Sequence, residues 1–131
     1  MTGHSRVVIA ELVKEEVLDL YHIRYNAVHT GAENDIFPFL KKENKPGIVS
    51  FTATRWGQLL DPKKMPEGEE PLMASDCYRF VLSNPHVDVC LTAPKTVEQM
   101  RENLKTLETG PLNSNEMDRI RKIGKYIYDK K

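Results

Sequence analysis

Lys95 is the side chain best placed to do chemistry. It stands in the stretch Val87–Gly110, VDVCLTAPKTVEQMRENLKTLETG. The first six residues of that stretch are apolar or β-branched with one Asp, a run of the length and type of a buried strand. Ala93-Pro94-Lys95 is a tight turn. Thr96, with Gln99 three residues on, opens a helix as in a capping box. Val97, Met100, Leu104 and Leu107 give that helix an apolar face, and Gly110-Pro111 stop it. A short strand-to-helix loop leaves backbone N–H groups free at the strand's carboxyl end. A Lys beside them makes an anion site, with phosphate the obvious anion. The plain alternative is an ordinary βα unit in which Lys95 is a solvated loop charge.

The other reactive side chains form no constellation. Cys77 and Cys90 lie in apolar contexts, outside any CxxC or Cys/His ligand spacing, and read as reduced core thiols of a cytosolic protein. His4, His22, His29 and His86 show no metal-ligand spacing, so no metal site is expected. The 131 residues, 40% hydrophobic and 29% charged, describe one soluble globular domain over residues 1–131. A formal net charge of +0 argues against nucleic acid and membrane surfaces as partners. No apolar run is long enough to span a bilayer, and no signal or transit pattern opens the chain, so a cytoplasmic protein is expected.

These groups need elements to hold them. Val8, Ile9, Leu12 and Val13 mark a helix over 6–16 with Ser5 as its cap. Within 17–26, Tyr21, Ile23 and Tyr25 alternate with His22, Arg24 and Asn26, a strand with one apolar and one polar face. The polar face meets solvent in an open sheet, or a ligand in a barrel interior. Residues 33–42 read as a helix with Ile36, Phe37 and Leu40 inward, short or kinked because of Pro38. A strand follows at Ile48–Thr52. Gly57 beside Trp56 then suggests a bend or close backbone approach, with Trp56 itself read as core. The Pro- and Gly-bearing stretch 61–71 is a surface loop. Residues 74–83 form a helix capped near Ser75 or Asp76, with Cys77, Phe80 and Val81 inward. After the Lys95 unit, Asn113 and Glu116 cap a closing helix with a stripe of Met117, Ile120, Gly124 and Ile127. Strands alternating with helices imply a parallel sheet with helices outside it.

The strings YNAVHTGAENDIFPFL, GIVSFTATRWGQLLDP, ASDCYRFVLSNPHVDVCLTAPK and EQMRENL, in this order and spacing, resemble the carboxyl-terminal half of the aldo/keto reductase family over essentially the whole chain. The resemblance implies an α/β fold, half of a TIM-type (βα)8 barrel. Its strands would be a fifth-strand stub at 1–5 and strands six to eight, plus a C-terminal helix. The family reduces aldehydes and ketones with NADPH. Its catalytic Asp, Tyr, Lys and His lie on the first four strands, so no catalytic residue is assigned in this sequence. The last strand and its helix hold the NADP 2′-phosphate and adenine, which falls here on Lys95, Thr96, Gln99, Glu102 and Asn103. The family's phosphate Arg has no evident counterpart, although Arg101 is nearby, and NAD stays open beside NADP. Phe51 takes the place of the aromatic ring that stacks on the nicotinamide. His22 stands where a Gln holds the carboxamide, and Thr2 and Gly3 stand where a Ser and an Asn assist.

Such a half-barrel exposes two sheet edges and an inner face built to be covered. The partners expected are a second copy of the chain or an amino-terminal half-barrel. Three readings stay open. The chain is the cofactor-binding half of a reductase, inactive until completed; it is a non-catalytic nucleotide-binding or self-assembling protein of that descent; or it is an inactive relic.

Overall fold

The computed structural model of the chain describes residues 1–130; Lys131 and the side chain of Thr2 lie outside the described residues. Four parallel strands form one sheet in the order β1-β2-β3-β4: β1 Thr2–Gly3, β2 Leu20–Arg24, β3 Gly47–Phe51 and β4 Val89–Cys90. Each strand leads into helix, through α1 Arg6–Lys14, α2 Ala32–Asp35, α3 Ala74–Leu82 and α4 Val97–Thr109, and α5 Ser114–Asp129 closes the chain. Among the described residues no helix is long and apolar enough to cross a membrane.

The alternation in β2 decides which face is core. Tyr21, Ile23 and Tyr25 are buried, and they pack with Ile9, Val13, Phe80, Val81, Ile120 and Ile123 of the helices in one cluster. His22 and Arg24 therefore take the opposite, inner face, in register with Val49 and Phe51 of β3. Asn26 breaks the alternation: it is fully buried rather than on the polar side. Its Nδ2 donates to the Thr52 carbonyl at 2.8 Å, and its Oδ1 accepts from Val28 N at 3.0 Å and His29 N at 2.9 Å. A side chain that supplies three bonds to loop backbone is more stable buried than solvated.

The helices follow local signals, with instructive exceptions. Ser5 caps α1 as expected, but the buried face is Ile9, Ala10 and Val13, while Val8 is exposed. Pro38 splits the helix expected over 33–42 into α2 and a single 3-10 turn, Phe37–Phe39. Neither Ser75 nor Asp76 caps α3, whose N-cap is Met73 without a side-chain bond. Both polar groups are used elsewhere: Ser75 Oγ donates to Glu102, and Asp76 accepts from Arg79.

Two corrections concern the last βα unit. The run 87–92 is not a buried strand; only Val89–Cys90 pair, and Val89 and Leu91 are 48% and 46% exposed. β4 has β3 on one side only and its inner face bare, which shortens it. The apolar stripe of α4 is also unburied: Val97 is 61% exposed, Met100 37%, Leu104 42% and Leu107 75%. The helix instead buries Thr106, whose hydroxyl donates to the Ser75 carbonyl at 3.2 Å.

Arg79 fastens α3 to α5 from a nearly buried position. Its guanidinium donates to both Glu116 oxygens at 2.9 Å, to Asp76 at 3.1 Å, and to the Gly110 and Pro111 carbonyls at 2.8 and 3.2 Å. Glu116 also closes the capping box with Asn113. Gly124 sets the approach of α5 to the loop after β2, since a Cβ there would meet the Ala27 carbonyl oxygen at 2.0 Å.

Two outcomes are expected. Gly124→Ala forces backbone apart and lowers unfolding free energy by about 2–3 kcal/mol, read as a shifted urea midpoint; an unchanged midpoint would show that α5 does not seat this closely. Arg79's hydrogen bonds, and then the Asn113 N–H, hold the Glu116 carboxyl below its ordinary range. The stability this supplies is complete above the ordinary Glu pKa and is lost as pH falls through the lowered native value. Glu116→Gln should therefore flatten the acid limb of stability against pH below about 4.5, in urea titrations across that range.

Candidate functional site

The carboxyl ends of β3 and β4 open into a cavity of about 820 Å³. Phe51, Lys95, Gln99 and Asn103 line it together with Trp56 and Tyr78, so four of the residues singled out in the sequence share one site.

Its first wall is the loop after β3. Thr52 has φ 62°, and Arg55, Trp56 and Gly57 follow with φ 53°, 53° and 82°. Three successive left-handed residues, two of them with side chains, concentrate strain at the cavity rim. The turn carries Trp56 outward to 62% exposure, correcting the expectation that it belongs to the core. Arg55 covers one face of the indole, its guanidinium carbon 4.4 Å from the ring centre. Half-buried Phe51 has His4 edge-on at 5.8 Å, a neighbour that sequence spacing did not indicate.

The second wall is the turn into α4. Thr96 is the N-cap and its hydroxyl accepts from Gln99 N at 3.2 Å. Gln99 does not complete the reciprocal box on Thr96. Its Oε1 accepts from Lys95 N at 2.7 Å, one residue earlier, which ties the turn to the first helical turn. The Lys95 ammonium makes no ion pair or hydrogen bond among the described residues, so it is the open cationic group of this wall. Asn103 Nδ2 donates to Thr92 Oγ1 at 2.7 Å, and Thr92 donates to Tyr78 Oη at 2.8 Å. That chain of bonds joins α4, the β4 loop and α3 behind the cavity. Burial pushes the Tyr78 phenol up, against the Thr92 contact.

The remaining sequence candidates lie elsewhere. Glu102 accepts from Ser75 Oγ and from Lys105 Nζ, at 2.7 and 2.6 Å, and does not line the cavity. Lys105 first, and then Ser75, hold its carboxyl below the usual range. The Thr96 hydroxyl is engaged as a cap, and Arg101 is exposed outside the cavity. His22 is on the inner face of the sheet, level with Thr2 and Val49, away from the cavity lining. Gly3 pairs with Ile23 in β1. Both cysteines are free thiols, and burial pushes each upward, Cys90 to about 12. Tyr25 is not a cavity group: its hydroxyl donates to Glu33 at 2.6 Å behind the sheet, with burial and then Glu33 raising its pKa.

No protein-family model matches the chain, and no curated protein matches it. Among solved structures it is similar to the aldo-keto reductase AKR11C1 from Bacillus halodurans in holo and apo forms. Each has a TM-score of 0.69 and 16% identity, and covers 93% of this chain. The covered part is 48% of the holo chain and 49% of the apo chain, so this chain spans about half their length. Identity at that level speaks of architecture, and the architecture is plain: the chain has the parallel α/β fold of half an aldo-keto reductase barrel.

Proposed function

We propose that the chain forms the nucleotide-binding wall of an aldo-keto reductase-type oxidoreductase, with NADP as its cofactor and the hydride-transfer acid supplied from outside this sequence. One observation carries this reading: a single cavity at the carboxyl ends of parallel strands gathers an aromatic face, Phe51, a cation without an ion-pair partner among the described residues, Lys95, and two amides, Gln99 and Asn103. In barrels of this kind ligands sit at that end of the strands. The bound nicotinamide would supply the hydride. Phe51 offers a π face on which to orient a planar ring, and Lys95 offers a point charge for a phosphate. Thr96, Glu102 and His22 contribute on this reading only by shaping the turn, α4 and the inner face. The two free thiols fit a reducing compartment, which supports a cytoplasmic location.

The bare stripe on α4 and the open edges of β1 and β4 favour a second reading, in which the chain is an assembling or nucleotide-binding subunit without catalysis of its own. Its partner is a second copy or an amino-terminal half-barrel.

Trp56 is the sole Trp and lines the cavity, so its fluorescence reports cofactor binding. Quenching should saturate with NADPH. Lys95→Met should weaken NADPH about tenfold and NADH about twofold or less, because the lost charge faces the extra phosphate. Equal weakening would remove Lys95 from the phosphate, and a folded chain that quenches with neither nucleotide would leave the likeness as one of fold alone. For the second reading, sedimentation should show self-association that Val97→Lys with Leu107→Lys abolishes; a monomeric parent chain would defeat the second-copy form of it.

A further inference from the structure

The sheet and its helix layer end together, at β1 and α1 on one side and at β4 and α4 on the other. α1 packs against β1 and α2, and α4 packs against α3. Arg6 of α1 pairs with Asp35 of α2, so Val8, two residues or about 200° further round the helix, is on the opposite flank. Val8 is 48% exposed there, and Val7 beside it is more exposed still. α4 meets α3 through Glu102 and Thr106, both bonded to Ser75. Leu104 is two residues from each and so takes the far flank, which Val97 shares seven residues earlier. Two exposed apolar flanks thus stand at opposite ends of one four-stranded sheet.

The charges on the two flanks are opposite in sign. Glu11 follows Val8 by three residues on α1, and Arg101 precedes Leu104 by three on α4, so each shares its apolar neighbour's face. Both are exposed. Arg101 makes no ion pair or hydrogen bond among the described residues. Glu11 is bonded to Lys14 of its own helix, an exposed pair that is worth little in water. Helices that return along parallel strands run in one direction, so α4 and α1 set side by side would be parallel. Arg101 is four residues past the start of α4 and Glu11 five past the start of α1, which puts the two charges at about the same height. The strand count points the same way. Two sheets of four give eight parallel strands, the number at which a βα sheet of this kind closes and leaves no edge.

We propose that two copies of this chain close on each other into one eight-stranded parallel barrel. β4 of each copy pairs with β1 of the other, the Leu104 flank of α4 packs on the Val8 flank of α1, and Arg101 faces Glu11 across the contact. This rests on the assembling reading given above, in its second-copy form, and names the surfaces that reading uses. A twofold axis makes the two seams identical. Closure also covers the inner face, where Val89 and Leu91 are exposed, and it ends growth at two copies because no third copy finds a free edge.

Sedimentation of the full chain and of two charge reversals tests it. The parent should reach a dimer, and no larger species, as its concentration rises. Arg101→Glu and Glu11→Arg each set like charges against one another at both seams and should weaken the dimer about tenfold or more. Mixed in equal amounts, the two variants should associate as tightly as the parent, because every seam of the mixed dimer again joins opposite charges. That rescue also separates a lost contact from a lost fold. A dimer that neither reversal weakens, or reversals that stay apart on mixing, overturns this pairing and leaves self-association to another face. Species that grow beyond the dimer overturn the closed barrel. A folded chain that stays monomeric overturns the pairing and the second-copy reading together, and leaves both edges to an amino-terminal half-barrel.

Discussion

A parallel sheet has to be covered on both faces, and this chain covers one. The outer face is buried under α1, α3 and α5, with Tyr21, Ile23, Tyr25 and Ile48 fully enclosed. The inner face carries His22, Arg24, Val49 and Phe51 in register across β2 and β3, and Val89 beyond them stands half in water. The outer face is packed and apolar because helices lie on it. The inner face is mixed: His22 and Arg24 of β2 stand beside Val49 and Phe51 of β3. The edges at β1 and β4 are only two residues long, so the bare backbone presented there is short.

The outer layer is held by polar interactions at the helix ends as much as by apolar burial. Arg79 satisfies the carbonyls that end α4 and the carboxylate that caps α5 at the same time. Its cost of burial is met because every donor used has an acceptor in place. A second network runs from Asn84 through Tyr25 to Glu33 and Arg121, joining the end of α3, β2, α2 and α5. These ties fix α3, and α3 presents Tyr78 to the cavity. The position of the cavity thus depends on contacts made on the far side of the sheet.

α4 shows how a local pattern and a tertiary environment can part company. Its stripe of Val97, Met100, Leu104 and Leu107 has the spacing of a buried helix face, yet all four are exposed. The helix docks on α3 through Thr106 and Glu102 instead. Periodicity reports which face is apolar; what lies against that face is decided by elements far away in sequence. The same holds at β4, where the residues suit a longer strand and only Val89–Cys90 pair, with β3 on one side.

Sequence alone determined the elements whose causes are local. The alternation of Tyr21, Ile23 and Tyr25, the Ser5, Thr96 and Asn113 caps, the break at Pro38 and the stop at Gly110 each depend on a few neighbouring residues, and each stands in the structure. The resemblance of the strings to aldo/keto reductases pointed to the half-barrel architecture for the same reason, since an order of short motifs is preserved along the chain. Tertiary structure alone decided which polar groups are core and which aromatic ring is not. Asn26 is buried because three backbone groups from two loops converge on its amide, and Trp56 is exposed because three left-handed residues turn it out. It also decided that Phe51, Lys95, Gln99 and Asn103 face one cavity while Glu102 and His22 do not. Side chains far apart in sequence, such as Phe51 and Asn103, meet only through strand register and helix docking, and neither is written in the spacing of the residues themselves.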